Sequence, residues 1–197
     1  MNNTPFSYAY EFPSQPAAYS ANYHKRLGRV IRSSAIANQR IQVVSFDIQF
    51  RPNVTPRGIK RSAEISEFFK VLKIALDEQQ SLGTIHKHNL RHVWRRMRPS
   101  SSRFFYRCYI LINHDFYADP IIAQQALYKH FSYAWAQVLG TDLNGVQGLI
   151  QLHSKTSFDV YSGIEGEAEI WQRLGYLTEA ANYYSANRGR TFGCSRC

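Results

Sequence analysis

Cysteines and acidic residues are scarce in this chain, and long apolar runs are missing. Cys108, Cys194 and Cys197 are the three cysteines among 197 residues, and they do not make a disulfide framework. No apolar run approaches the roughly 20 residues that a membrane-spanning helix needs. Residues 1–20 carry neither the basic start nor the apolar core of a secretory signal. These absences predict a cytoplasmic protein without a membrane partner.

The shortage of acidic residues leaves a large positive charge. Lys and Arg number 24 against 14 Asp and Glu, which gives a formal net charge of +10. No Asp or Glu occurs from Gln79 to His114. Because the charge is clustered, nucleic acid is the favoured partner. A soluble protein that is basic for no functional reason is the alternative.

The clearest local pattern is the stretch from Arg103 to Asp115, which predicts a central strand. Aromatic and β-branched residues dominate it, and side chains at alternate positions of a strand point to opposite faces. One face would carry Phe105, Arg107, Tyr109 and Leu111, and the other Phe104, Tyr106, Cys108, Ile110 and Ile112.

The remaining patterns predict an α+β domain, with one antiparallel sheet flanked by helices. Helices are predicted over 23–39, 62–80, 120–139 and 165–185, and further strands over 41–50, 90–97, 148–153 and 159–162. The first helix is basic and amphipathic. We divide the chain into an N-terminal arm and basic helix, residues 1–38, and an α+β domain, residues 39–197.

The acid-free segment supplies candidate nucleic-acid contacts. Aromatic residues interleave with its cations, and this mixture suits phosphate contact and base stacking. A solvated face with the aromatics in the core is the alternative. The predicted nucleic-acid-binding residues are Lys87, Arg91, Arg95, Arg96, Arg98, Arg103 and Arg107.

Three further patterns bear on catalysis. His86 and His88 would lie on one side of a strand, as metal ligands do, but no carboxylate is near them in sequence. Cys194 and Cys197 have zinc or redox spacing, yet no second ligand pair is nearby, so a mobile thiol pair is favoured. Tyr176, on the last predicted helix, is a candidate nucleophile toward a phosphodiester, although such a tyrosine usually packs. We predict no metal site and no cofactor.

Three segments carry a resemblance to a known family. They are residues 41–51 (IQVVSFDIQFR), residues 91–96 (RHVWRR) with 106–115 (YRCYILINHD), and residues 175–178 (GYLT) with 190–196 (RTFGCSR). From about Gln39 onward the chain resembles the YagK/YfjJ C-terminal family. That family is similar to the gene-two replication proteins of filamentous phages, and so to HUH-type rolling-circle initiators found in phages and other mobile elements.

The resemblance implies an HUH/Rep-like sheet with a metal-binding His-x-His on the central strand and a helical Tyr-x-x-Lys. This chain has Arg107-Cys108-Tyr109 at the first motif and Tyr176-Leu-Thr-Glu179 at the second. Neither Arg nor Tyr is a usual ligand of a divalent metal. The tyrosine therefore survives, while the groups that would activate the phosphate are replaced. Arg107 could still clamp a phosphate directly.

The favoured hypothesis is a DNA-binding protein on a degenerate rolling-circle initiator scaffold that does not cleave its DNA. The partner would be DNA, single-stranded or in a hairpin. One alternative is an active tyrosine nickase with a relocated metal site that uses His86, His88 or His114. Another is a protein-interaction component of a phage or defence system. The oligomeric state is not predicted.

Overall fold

The computed structural model describes residues 21–50, 61–97, 104–117, 120–153, 157–178 and 192–195. For the helical residues 61–62 and 120–124 the structure describes only the backbone. Two predicted phosphate contacts, Arg98 and Arg103, lie outside the described residues, as do Glu179 and Cys197.

Six strands of the described chain form one sheet. They are β1 (Arg40–Ile48), β2 (Arg91–Met97), β3 (Phe105–Asn113), β4 (Ile150–Leu152), β5 (Phe158–Tyr161) and β6 (Phe192–Cys194). The strand order is β4-β1-β3-β2-β6, and β5 also pairs with β1, beyond the end of β4. Every pairing is antiparallel. The predicted α+β class with one antiparallel sheet is confirmed, and β3 is the central strand.

Four helices within the described residues cover the sheet. They are α1 (Ala21–Ala37), α2 (Arg61–Ser81), α3 (Pro120–Leu139) and α4 (Ile164–Leu174), and α4 continues into a 3-10 turn, Gly175–Thr178. The predicted apolar stripe of α2 is confirmed, since Ile65, Phe68 and Leu72 are fully buried. None of these helices is long and apolar enough to cross a membrane, in the part of the chain that the structure describes.

The two faces of the sheet pack against different helices. The α2–α3 face carries an aromatic core that includes Phe46, Phe68 and Phe131. The α1–α4 face carries a second, smaller core, where Leu27 of α1 and Leu174 of α4 pack with Leu111 of β3. The predicted alternation of β3 is confirmed, because its even-numbered residues from Tyr106 face α2 and α3 while Tyr109 and Leu111 face α1 and α4.

Two elements differ from the predictions made from sequence. The last helix ends at Leu174 rather than continuing, so Tyr176 lies in the 3-10 turn and not on an α-helix. Strand β6 was not predicted, because residues 192–194 have too few apolar positions for an alternating pattern. It forms on the edge of β2, where a Cβ at position 193 would lie 2.3 Å from the Trp94 ring, so only Gly193 fits.

Candidate functional site

An ion pair lies on the α1–α4 face of the sheet, between the neighbouring strands β1 and β3. Asp47 of β1 is the register partner of Arg107 of β3. Arg107 donates from Nε to Asp47 Oδ1 at 2.6 Å and from Nη2 to Oδ2 at 2.9 Å, a two-bond guanidinium–carboxylate pair. The side chains are 14% and 7% exposed. Burial alone would lower the pKa of Arg107, but the hydrogen bonds to Asp47 raise it. Arg107 therefore stays charged, and the carboxylate of Asp47 balances that charge.

Two tyrosine hydroxyls meet beside this ion pair. The hydroxyl of Tyr109, two residues along β3 from Arg107, lies 2.8 Å from the hydroxyl of Tyr176. Burial raises the pKa of Tyr176 well above its usual value, and the nearby Arg107 guanidinium only partly opposes that shift. At neutral pH the Tyr176 phenol is therefore protonated and engaged in a hydrogen bond.

Arg95 fixes the segment that carries Tyr176. Arg95 of β2 lies opposite Arg107 in the sheet and donates from Nη1 to the backbone carbonyl of Tyr176 at 2.8 Å. A charged hydrogen bond of this kind ties the 3-10 turn to the sheet surface. We call Asp47, Arg95, Arg107, Tyr109 and Tyr176 the polar cluster.

His153 lies between β4 and β5 and contacts the polar cluster through Asp47. Its Nε2 lies 2.9 Å from Asp47 Oδ2, and its backbone N–H donates to the Ser45 carbonyl at 2.9 Å. The Ser157 hydroxyl accepts from the Ser45 N–H at 3.1 Å. Asp47 thus has basic groups on two sides, from β3 and from the end of β4.

The polar cluster does not fit the metal that the family resemblance implies. Arg107 and Tyr109 stand where the resemblance places the two histidine ligands, and their contacts are with Asp47 and Tyr176. Neither a guanidinium group nor a tyrosine hydroxyl is a usual ligand of a divalent metal. Asp47 and His153 could each contribute one donor atom, but both carboxylate oxygens of Asp47 already accept hydrogen bonds from Arg107. The cluster can hold the 3-10 turn in place, and it does not present an activated nucleophile.

The structure brings together some of the predicted site residues and separates others. Arg95, Arg107 and Tyr176 meet in the polar cluster, whereas Arg91 lies further along β2 and donates to the Ser33 hydroxyl of α1 at 3.3 Å. Arg96 points to the opposite side, where its guanidinium lies 5.8 Å from the Phe104 ring centre. Lys87 is exposed in the loop before β2. The described cations of the acid-free segment therefore do not form one free surface.

Of the histidines considered for a relocated metal site, His86 is exposed in the loop before β2, and His88 and His114 contact carboxylates. His88 is 3% exposed, and both of its ring nitrogens are used, by Asp77 at 3.0 Å and by the Leu90 N–H at 3.0 Å. His114 lies between Asp115 and Asp159, at 2.8 Å and 3.4 Å. Since His114 is five residues from Tyr109 along an extended chain, about 17 Å separates their backbones.

The basic face of α1 was not among the predicted contacts. Lys25, Arg29 and Arg32 are exposed on this helix, and no residue of α1 is acidic. The sequence signal was present as a basic amphipathic pattern. What it could not give is the position of α1, which packs beside α4 over the same sheet face as the polar cluster.

One solved structure shows a weak similarity to this chain. The solved N-terminal nuclease domain of non-structural protein 1 from minute virus of mice is similar over 89% of this chain and 90% of that domain, with 14% identity and a TM-score of 0.38. Its structure is described as showing a unique Zn²⁺ coordination in the active-site pocket and a novel mode of DNA recognition at the origin of replication. A search of curated proteins finds no match.

The family follows from the sequence itself. The model of the YagK/YfjJ C-terminal domain matches residues 7–195, which is nearly the whole chain. The chain belongs to this family. The resemblance to this family, inferred from short segments between residues 41 and 196, is thereby confirmed, and the match also includes α1.

Proposed function

We propose that this chain is a DNA-binding protein, built on a rolling-circle initiator-like scaffold, that does not cleave the DNA it binds. The proposal joins two separate parts. Binding is supported by the net charge of +10 and by exposed cations on the described surface. Loss of cleavage is supported by the polar cluster, and the two parts can be tested independently.

The protonation and hydrogen bonding of Tyr176 support the absence of cleavage. A tyrosine nucleophile must lose its proton and approach the phosphorus atom in line with the leaving oxygen. Here burial raises the pKa of the phenol, and its oxygen is already 2.8 Å from Tyr109. The nearest cation, Arg107, is neutralised by Asp47. These contacts would have to break before a phosphodiester could reach the hydroxyl.

Binding is tested with fluorescently labelled single-stranded and hairpin DNA across a salt series. We expect the logarithm of the affinity to fall linearly with the logarithm of the salt concentration. If six phosphates are contacted, the fall between 50 mM and 200 mM salt is roughly 300-fold, from a slope of about 0.7 per phosphate on single strands. Absence of binding, or binding that ignores salt, would contradict the proposal.

Cleavage is tested with the same DNA in the presence of Mn²⁺. We expect neither a nicked product nor a covalent protein–DNA adduct on denaturing gels, from the wild type or from Tyr176→Phe. An adduct that forms with the wild type and is lost in Tyr176→Phe would establish the nickase instead. Tyr128→Phe, which changes a tyrosine on α3, serves as the control substitution.

A further inference from the structure

One row of cations on the described surface has no carboxylate partner. Lys25, Arg29 and Arg32 lie on α1 at spacings of four and three residues, which places them within about 60° of one another around the helix axis. The opposite side of α1 is buried through Leu27 and Val30. In the described ranges no ion pair involves any of the three cations.

Exposed cations on α2 are arranged differently. Lys70 pairs with Glu67 at 3.2 Å, and Lys73 pairs with Asp77 within the same helix. Their charge is compensated at the surface, and they lie on the other side of the sheet. The contrast shows that exposed positive charge alone does not distinguish α1. What distinguishes α1 is that none of its three exposed cations forms an ion pair within the described ranges.

An aromatic ring lies beside the cationic row. α1 and α4 enclose a concavity of about 380 Å³, which Trp171 of α4 lines together with the three cations, His24 and Gly28. The His24 ring stacks on the Trp171 ring at 4.3 Å between centres. A Cβ at position 28 would lie 3.0 Å from the indole, so Gly28 allows the ring to pack this close to α1. The remaining tryptophans, Trp94 and Trp135, are buried.

This combination has a specific chemistry. Guanidinium groups bind phosphate oxygens through paired N–H donors, and an indole gives an apolar surface for a sugar or a base. The axial rise from Lys25 to Arg32 is about 10 Å, enough for two successive phosphates of an extended strand. A duplex would present its phosphates but keep its bases from Trp171, so a single strand uses more of the surface.

We infer that the α1–α4 concavity, formed by His24, Lys25, Arg29, Arg32 and Trp171, binds the backbone of single-stranded DNA. This inference rests on the proposed function and gives it a location. No residue of the polar cluster lines this concavity. Within the polar cluster, Arg95 and Arg107 are already held by contacts within the protein. DNA binding and the former catalytic position are thereby separated.

The first test compares Arg29→Gln/Arg32→Gln with the control Lys70→Gln/Lys73→Gln. Both variants remove two exposed positive charges, so a nonspecific charge effect would weaken both equally. We expect the α1 variant to lose at least tenfold in affinity for a labelled 20-nucleotide oligo(dT) at 100 mM salt. Its slope of log affinity against log salt should drop by about 1.4, since two phosphate contacts are lost. The control should stay within twofold of the wild type.

The second test uses tryptophan fluorescence. Because Trp94 and Trp135 are 2% and 0% exposed, fluorescence quenching by oligo(dT) should come from Trp171. We expect quenching in the wild type and its loss in Trp171→Phe. Circular dichroism of each variant checks that the fold is intact.

The outcomes separate the inference from the proposed function. If the wild type binds oligo(dT) and both charge variants bind equally well, the surface is wrong while DNA binding stands. If the wild type does not bind any tested DNA, the proposed function fails and this inference fails with it. If polyglutamate displaces oligo(dT) at equal charge concentration, the concavity is assigned to an acidic protein partner and the inference is overturned.

Discussion

The two faces of the sheet come from alternate residues of the same strands, yet they are built on different principles. Around Phe46 the α2–α3 face is rich in aromatic side chains, and the Phe131 ring stacks on the Phe46 ring at 4.3 Å between centres. One residue further along β1, Asp47 faces the other way and is only 5% exposed, next to Arg107. Strand β1 thus contributes to a stacked aromatic core on one side and to a buried ion pair on the other.

The difference shows that the faces serve different purposes. Burial of apolar rings contributes directly to stability. A buried ion pair contributes little, because the cost of removing both charges from water offsets their attraction. The polar cluster is therefore better explained by the geometry that it imposes, which is to hold the Tyr176 turn against the sheet. The α2–α3 face mainly supplies stability, and the polar cluster on the α1–α4 face mainly fixes the position of Tyr176.

The largest effect is expected on the aromatic face. Phe131→Ala removes a fully buried ring that stacks on Phe46 and leaves a cavity, so we expect the free energy of unfolding to fall by about 4 kcal/mol. Urea unfolding followed by circular dichroism measures it. Phe131→Leu should cost clearly less, and an equal loss in both variants would contradict the cavity explanation.

Removing one partner of the ion pair should destabilise the protein more than replacing both partners. Asp47→Ala leaves the buried Arg107 charge without its partner, and we expect a loss of about 3 kcal/mol. Replacing both partners, as in Asp47→Leu/Arg107→Met, should recover most of this loss, because no unpaired charge remains. Urea unfolding of both variants measures the difference. If the double variant is less stable than Asp47→Ala, the ion pair stabilises more than we infer.

Acidic pH should destabilise the protein through His92, which lies on the α2–α3 face. Its ring stacks on Phe69 at 3.8 Å, and burial lowers the pKa of His92 from 6.5 to about 3. Between these values the unfolded chain binds the proton and the folded chain does not, so stability is complete above pH 6.5 and is lost as the pH falls. We expect a loss of at most about 2 kcal/mol between pH 7 and pH 5.

His92→Gln tests that assignment, because glutamine does not titrate. The variant should be less stable at pH 7 and should show a shallower dependence of unfolding free energy on pH than the wild type. Parallel pH profiles would assign the acid sensitivity to another group, and the neighbouring His88, whose pKa burial also lowers, would be the next to replace.

The smallest effect is expected at the tyrosine pair. Tyr176→Phe removes the 2.8 Å hydrogen bond to Tyr109 and should cost about 1 kcal/mol in unfolding free energy. DNA binding should be unchanged. A double-mutant cycle with Tyr109→Phe measures the coupling between the hydroxyls, and a coupling near zero would show that the two groups do not stabilise each other.

Local sequence patterns were sufficient for elements whose signal lies in one stretch. The alternation in β3 predicted its two faces, and the spacing of Ile65, Phe68 and Leu72 predicted the buried stripe of α2. The pattern also placed the end of α3 just before Gly140. These predictions succeeded because the period of a strand or a helix is set by its own backbone geometry.

Predictions that depended on partners far away in sequence were less successful. The acid-free segment suggested one cationic surface, yet Arg96 lies on the opposite face of the sheet from Arg95 and Arg107, because side chains alternate between faces along β2. Nothing near Arg107 in sequence indicates Asp47, which is 60 residues away and becomes its neighbour through the register of β1 and β3. The end of α4 at Leu174 was also missed, because the apolar spacing continues past it.

The sequence by itself determined the antiparallel α+β class, the positive charge and the Arg107-Cys108-Tyr109 motif of the central strand. Each of these is a property of composition or of a single segment. Only the tertiary structure decided that Arg107 is neutralised, that Tyr176 bonds to Tyr109, and that α1 and Trp171 share one concavity. Those facts depend on strand register and helix packing, and both are set by contacts between residues that the chain keeps far apart.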